Sequence, residues 1–261
     1  AWYKINVRHE RLVRFTVSGL PTGRTVTASV RENDLTVVAE RKNPIGTTGI
    51  AFDQRLTPGA YYIRLSANAA FQNQTYRFRL HADPLVGGFA DIAGHWAASA
   101  IVRLSEKGVV TGRADYKFQP DQSITRAEAV AMIVRAFGYA ALKPAPFSDV
   151  NETHWAYEAV AKAAQAGVID GYPDGRFAPD RTVSRVEMAV MLARALNMRG
   201  YSDGHAPFPD VSASHWGAGV LRQLKDAGLI TGYEDGAFRP EFPATRAEFA
   251  VLLERIVGKS I

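Results

Sequence analysis

Arginine, tryptophan and aspartate recur three times each at matching places in this chain, and their types bound the chemistry available. The arginines stand in Thr125-Arg126-Ala127-Glu128, Ser184-Arg185-Val186-Glu187 and Thr245-Arg246-Ala247-Glu248. A Thr or Ser followed three residues later by Glu is a capping box, which makes each Arg the first residue of a helix. Such an Arg is expected at an exposed position beside unpaired backbone N–H groups and the positive end of the helix dipole. Its planar guanidinium can hold a carboxylate through two N–H bonds. The competing reading is an Arg paired with a neighbouring Asp or Glu. In either case substitution of an exposed first helical residue is expected to leave the fold intact. Trp96, Trp155 and Trp216 each follow a His, at His95, His154 and His215. An indole can stack on a sugar face and donate to a hydroxyl, but the spacing of Trp96 to Ala100, Ile101 and Leu104 puts much of the ring in the core. Asp91, Asp149 and Asp210 read as caps or turn residues ahead of sugar ligands.

Other chemistries lack their residues. There is no Cys, which excludes disulfide scaffolds, thiol catalysis and cysteine-ligated zinc. The three His could meet as a metal triad, but no HxH or HExxH spacing accompanies them, and the Asp-Gly loops lack the ligand pattern of a calcium loop. No Gly-x-Ser-x-Gly elbow and no phosphate-binding glycine loop occur. A carboxylate pair for glycoside hydrolysis stays open, because sequence does not measure the separation. The expectation is a chain with no catalytic residue, no metal and no cofactor.

The elements that must position these residues fall into two regions. From Trp2 to about Leu80 the apolar residues alternate, as in Tyr3, Ile5, Val7; Val13, Phe15, Val17; Val26, Ala28, Val30; and Tyr76, Phe78, Leu80. Turn signals at Gly19 to Gly23, Asn43 to Gly49 and Pro58-Gly59 divide them into about seven antiparallel strands, a β-sandwich. Residues 1–85 carry 12 basic and 6 acidic side chains, and the rest of the 261-residue chain has a net charge of −1. The basic residues, among them Arg8, Arg14, Arg64, Arg77 and Arg79, mostly alternate with apolar ones, as on the solvated face of a sheet. A polyanion site is the alternative, and no nucleic-acid partner is expected. The longest apolar stretches, such as Ala129 to Val134, are too short to span a bilayer. Ala1 reads as a processed or truncated boundary, with no charged-then-apolar signal segment before it.

After Pro84 the period becomes helical and the chain repeats. Phe89, Asp91, His95 and Trp96 return as Phe147, Asp149, His154 and Trp155, then as Phe208, Asp210, His215 and Trp216. The segments Gly108–Gly112, Gly167–Gly171 and Gly228–Gly232 recur likewise, and both Trp and Arg return after 59 and then 61 residues. Each repeat therefore reads as one structural unit: a helix from the His-Trp pair to Gly108 or its equivalent, an Asp-Gly turn (Asp174-Gly175, Asp235-Gly236), and a second, capped helix. Two such helices cannot enclose a core, but three units packed around a common axis can.

Taken together, Phe-x-Asp-(Val/Ile), His-Trp-Ala, Gly-x-(Ile/Val)-x-Gly-Tyr-x-Asp-Gly-x-Phe-x-Pro and Thr-Arg-Ala-Glu resemble the S-layer homology (SLH) family over about 170 residues. The run Leu56 to Leu65 followed by Thr75 to Leu80 resembles the closing strands of the bacterial pre-peptidase C-terminal domain, a jelly-roll-like accessory module, although a fibronectin-like sandwich reads almost as well. The resemblance implies a multidomain chain: an all-β sandwich at 1–84, then SLH repeats at 86–145, 146–206 and 207–261 forming an all-α pseudo-threefold trimer of helix-loop-helix units. It implies an extracellular protein of the bacterial cell surface or S-layer, held noncovalently by secondary cell wall polysaccharide attached to peptidoglycan. The inter-repeat grooves would bind that polymer, often at a pyruvylated amino sugar, through Arg126, Arg185, Arg246, Trp96, Trp155, Trp216, Asp91, Asp149 and Asp210. Other surface-protein subunits would be further partners. A lattice-forming or partner-binding protein, or a cell-wall glycan hydrolase, is the alternative. The departures from the pattern are Ser184 and Val186 in repeat 2, Gly217 for Ala in repeat 3, and Arg113-Ala114-Asp115-Tyr116 for Tyr-x-Asp-Gly in repeat 1. They make the three grooves unequal, so Arg126 is expected to matter differently from Arg185 and Arg246.

Overall fold

A computed structural model describes residues 1–68, 75–113, 116–140, 143–201 and 204–259. Ala114 and Asp115 of the divergent repeat-1 loop lie outside the described residues. The chain forms two compact units, Ala1–Ala93 with Arg113–Phe118, and Gly94–Gly112 with Gln119–Ile261.

The first unit is built on seven antiparallel strands, β1 (Trp2–Val7), β2 (Arg11–Ser18), β3 (Val26–Arg31), β4 (Val37–Lys42), β5 (Gly49–Leu56), β6 (Gly59–Ala67) and β7 (Arg77–Pro84). One sheet has the order β1-β6-β3-β4 and the other β5-β2-β7. Alternation along β2 sends Val13, Phe15 and Val17 inward, where they meet Val30, Ile63 and Leu65 of the other sheet in two adjoining core clusters. Asn43 is buried just past β4 and is satisfied on both sides: its Oδ1 accepts from Val26 N–H at 2.7 Å and its Nδ2 donates to the carbonyls of Arg24 and Thr47. Leu80 departs from the expected inward run. It stays exposed on β7, which is an edge strand.

The same unit holds the loop ends at Asp91 and Phe118. Phe118 N–H donates to Asp91 Oδ1 at 2.8 Å, and the Phe89 and Phe118 rings pack at 5.5 Å. Tyr116 adopts φ 55°, where the sibling repeats have Gly175 (78°) and Gly236 (79°). The left-handed turn is thus kept in repeat 1 by a residue that adopts it at some cost.

Among its described residues the second unit holds six helices, α1 (Ala98–Glu106), α2 (Arg126–Phe137), α3 (Tyr157–Gln165), α4 (Arg185–Ala195), α5 (Ala218–Asp226) and α6 (Arg246–Lys259). Capping boxes open α2, α4 and α6, with Thr125, Ser184 and Thr245 accepting from the N–H groups of Glu128, Glu187 and Glu248, whose carboxylates accept in return. The first helix of each repeat packs mainly on another repeat's second helix: α3 lies against α2, α5 against α4, and α1 against α6. The sequence repeat is therefore not a self-contained packing unit. A nine-residue first helix has one narrow apolar face, and the preceding repeat's second helix covers it.

Short extended segments before α2, α4 and α6 tie the repeats together. Val183 N–H donates to the Ile124 carbonyl, Ala244 N–H to Val183, and Ile124 N–H to Ala244, at 2.8–3.0 Å. The three donors thus close a ring with one fully buried residue from each repeat.

Candidate functional site: two grooves built from three repeats

The helix starts are not the free anion sites that the sequence suggests. The first N–H of α2, α4 and α6 donates to Arg181, Phe242 and Gln122 carbonyls, and the second to Pro179, Pro240 and Pro120, all at 2.9 Å. The third is taken by the capping residue. Every one of these carbonyls comes from another repeat, so ring closure consumes the donors that an isolated helix would offer to a ligand.

The three arginines are correspondingly buried, at 7% exposure for Arg126, 8% for Arg185 and 2% for Arg246. Each reaches into the following repeat. Arg126 Nε donates to the Phe177 carbonyl at 2.8 Å and Nη2 to Asp170 at 3.2 Å. Arg185 Nε donates to Phe238 at 2.7 Å and Nη1 pairs with Glu248 at 2.5 Å. Arg246 Nη1 pairs with Glu128 at 3.1 Å and Nη2 donates to the Thr111 carbonyl. The expectation of an exposed first helical residue is thereby corrected: the guanidinium is a strut between repeats. Aromatic rings sandwich it as well, Tyr172 and Phe177 around Arg126 and Tyr233 and Phe238 around Arg185, at 4.4–5.0 Å. Burial pushes the Arg126 guanidinium below the ordinary arginine pKa.

The tryptophans go the other way. Trp96, Trp155 and Trp216 are 63%, 62% and 61% exposed, which overturns the core reading. Each lies in the turn ahead of its helix, outside the helical period that buries Ala100, Ile101 and Leu104. The preceding His fixes that turn. His95, His154 and His215 accept through Nδ1 from the N–H of Ala97, Ala156 and Gly217 at 3.1 Å, and their rings lie 5.5–5.9 Å from the indoles. His95 and His215 also meet Asp121 and Glu241 through Nε2. Their role is to present an indole to solvent.

Asp149 and Asp210 hold the Phe-x-Pro loop. Asp149 accepts from Phe177 and Ala178 N–H at 2.8 and 2.7 Å, and Asp210 from Phe238 and Arg239 at 2.8 and 2.6 Å. Ala178 and Arg239 sit at φ 55° and 57°, a left-handed conformation that these paired carboxylate bonds secure.

Among the described residues these parts converge on two grooves within the second unit. The α4 groove, of about 230 Å³, takes Arg126 from repeat 1, Val168–Tyr172 and Glu187, Val190, Met191 and Arg194 from repeat 2, and Trp216 from repeat 3. The α6 groove, of about 170 Å³, takes Arg185 from repeat 2, Leu229–Tyr233 and one face of α6 with Glu248 and Arg255 from repeat 3, and Trp96 from repeat 1. An indole, a tyrosine and guanidinium groups around a slot of about 170–230 Å³ make a surface that can stack on a ring face and pair with an anion. Tyr172 and Tyr233 belong to the Gly-Tyr-x-Asp-Gly motif, whereas Arg194 and Arg255 lie outside every motif of the sequence reading. The signal was present, because Arg135, Arg194 and Arg255 recur at one offset from the capping arginines. Among the described residues no group of three metal-binding side chains gathers, and no helix is long and apolar enough to cross a membrane.

Two carboxylates of this region set an acid limit. For Glu187, burial raises the pKa, but the Ser184 N–H and Arg181 outweigh it and leave it below the ordinary 4.5. For Asp210, burial likewise opposes the N–H groups of Phe238 and Arg239, and the net is below 3.8. A native pKa below the unfolded one contributes stability fully above the unfolded value and loses it as pH falls through the native value. Melting followed by helical circular dichroism is therefore expected to be flat from about pH 7 to 5 and to decline below about pH 4. A melting temperature that holds down to about pH 2 would contradict this linkage.

The S-layer homology domain family model matches residues 88–130, 146–189 and 207–250, together just over half of the chain. A cell surface glycoprotein 1 from Acetivibrio thermocellus is 33% identical over 166 residues, covering 59% of this chain and 7% of that protein. An amylopullulanase from Thermoanaerobacterium thermosulfurigenes is 33% identical over 179 residues, 66% of this chain and 10% of its own. A cellulosome-anchoring protein from A. thermocellus is 33% identical over 147 residues, 53% of this chain and 33% of its own. The chain thus spans a third or less of the length of each of these relatives.

Proposed function

Because the chain belongs to the S-layer homology domain family, a family shared with cell-surface and cellulosome-anchoring proteins, we propose that it anchors a surface protein noncovalently by holding secondary cell wall polysaccharide in the grooves between its repeats. The ligand class is an anionic sugar, a pyruvylated amino sugar first among them. The observation that carries this reading is the make-up of the grooves: each draws its arginine, its loop and its tryptophan from three different repeats. Such a slot exists only in the closed ring, which suits a binding site and gives a single repeat no function by itself.

On this reading the repeats at 86–145, 146–206 and 207–261 form a pseudo-threefold prism, supported by the cyclic N–H···O bonds of Ile124, Val183 and Ala244. The sandwich at 1–84 is an accessory module of the pre-peptidase C-terminal kind. Trp96 and Trp216 stack on sugar rings in the grooves they line, and Trp155 offers the same exposed ring outside those two. Arg126 and Arg185 stand in the groove walls, Arg246 holds the equivalent place between repeats 3 and 1, and Asp91, Asp149 and Asp210 act on the ligand through the loops they hold. The chain is not itself an enzyme, and the amylopullulanase shares with it only a tenth of its own length.

The test is co-sedimentation of the intact chain with purified wall sacculi before and after mild acid removal of the secondary polymer. Retention is expected on untreated sacculi and lost on stripped ones, with the polymer's reducing ends unchanged. Equal retention on both would refute the anchor reading, and steady release of reducing ends would replace it with a hydrolase.

A further inference from the structure

The α4 and α6 grooves share a plan but not an arrangement of charge. In the α6 groove the wall arginine is neutralised: Arg185 Nη1 lies 2.5 Å from Glu248 Oε1, and the Tyr233 hydroxyl donates to the same oxygen at 2.9 Å. In the α4 groove the equivalent carboxylate, Glu187, is drawn away by Arg181 at 2.6 Å. Arg126 then keeps hydrogen bonds to the carbonyls of Phe177 and Asp170, and among the described residues no carboxylate stands at ion-pair distance from it, Glu187 and Asp149 acting on it only from farther away. At the second guanidinium of each groove the pattern is reversed. Arg194 pairs with Asp170 at 2.7 Å, whereas among the described residues Arg255 meets only the Leu229 carbonyl, at 3.3 Å.

Two positions cause the exchange. Arg181 is replaced in repeat 3 by Phe242, which cannot hold a carboxylate and so leaves Glu248 to Arg185. Asp170 is replaced by Thr231, which carries no charge to hold Arg255. Each groove therefore offers one guanidinium with no carboxylate at ion-pair distance among the described residues, Arg126 in the α4 groove and Arg255 in the α6 groove. A guanidinium already paired with a carboxylate has little to give a second one, so the unpaired cation governs where a ligand carboxylate settles.

We propose that the two grooves bind the same anionic sugar through different arginines, Arg126 in the α4 groove and Arg255 in the α6 groove, and that residues 170 and 181 set which one. This rests on the reading of the grooves as glycan sites. It makes Arg185 and Arg194 scaffold charges, each already paired, and it assigns a carboxylate contact to Arg255, on the third turn of its helix and outside the capping motif.

The tryptophans supply a separate reporter for each groove, because Trp216 lines one and Trp96 the other. Indole N–H resonances of the full chain would be followed while titrating a methyl glycoside of a pyruvate-ketal N-acetyl amino sugar, with the ketal-free glycoside as control. Loss of one charge-assisted contact in R255Q is expected to raise the dissociation constant read at Trp96 by about tenfold. Removing the Arg194–Asp170 pair as the charge-balanced D170N/R194Q is expected to change that read at Trp216 by less than about twofold. R126Q is expected to weaken the Trp216 response about tenfold, with melting followed because Arg126 is buried. Adding D170T to R126Q frees Arg194 and is expected to recover most of that loss, which a merely misfolded groove would not do. Equal losses in R255Q and D170N/R194Q, or no rescue by D170T, would overturn the exchange while leaving the glycan reading intact. If neither glycoside moves either indole, the glycan reading falls and this proposal falls with it.

Discussion

Arg246→Ala is expected to destabilise the helical unit by about 3–5 kcal/mol, the typical loss when one partner of a buried ion pair is removed. Arg246 is the most buried of the three capping arginines, and its removal leaves Glu128 without its guanidinium and the Thr111 carbonyl without a donor. With about 2–4 °C of melting temperature per kcal/mol for a unit of this size, the midpoint should fall on the order of 10 °C. Denaturant unfolding with an unchanged slope would read the same loss. A loss below about 1 kcal/mol would mean that the strut is dispensable and that the position is ordinary surface.

The triple change of Trp96, Trp155 and Trp216 to Ala is expected to have the reverse signature. All three rings are mainly exposed, so each substitution should move stability by no more than about 0.5 kcal/mol. Retention on wall sacculi should nevertheless fall by about a hundredfold: losing a stacked ring costs each groove on the order of tenfold, and linked grooves multiply the losses. The measurements are a sedimentation isotherm and a thermal melt on the same preparation. Unchanged retention at an unchanged melting temperature would remove the indoles from the site. A large drop in melting temperature would return them to the core.

What could be read before the structure depended on how far along the chain each interaction reaches. The capping boxes at Thr125, Ser184 and Thr245 close within three residues, and they form as the motif requires. The alternation in β2 is equally local and yields Val13, Phe15 and Val17 as core. Helical periodicity extended one turn too far, over a His-anchored turn that precedes the helix, puts the tryptophans in a core they do not enter. The arginine partners lie 44 to 135 positions away in sequence, and nothing local distinguishes a strut from a free cation. The pairing of each first helix with the previous repeat was hidden for the same reason, since a repeat pattern marks what recurs and not which copy touches which.

The closure of α1 onto α6 bears on how the domain carries load. If the domain anchors as proposed, it works under tension, and pull transmitted along the chain enters the second unit at its first helix, α1. That helix is clasped by the last one, with Arg103 paired to Glu254 at 2.7 Å across the contact. Force would therefore meet the seam that shuts the ring before any internal repeat, and would have to shear two packed helices past each other. Yielding there would open all three repeats together, because Ile124, Val183 and Ala244 each complete the others' backbone bonds. Such an anchor should give way in a single rupture rather than unravel repeat by repeat.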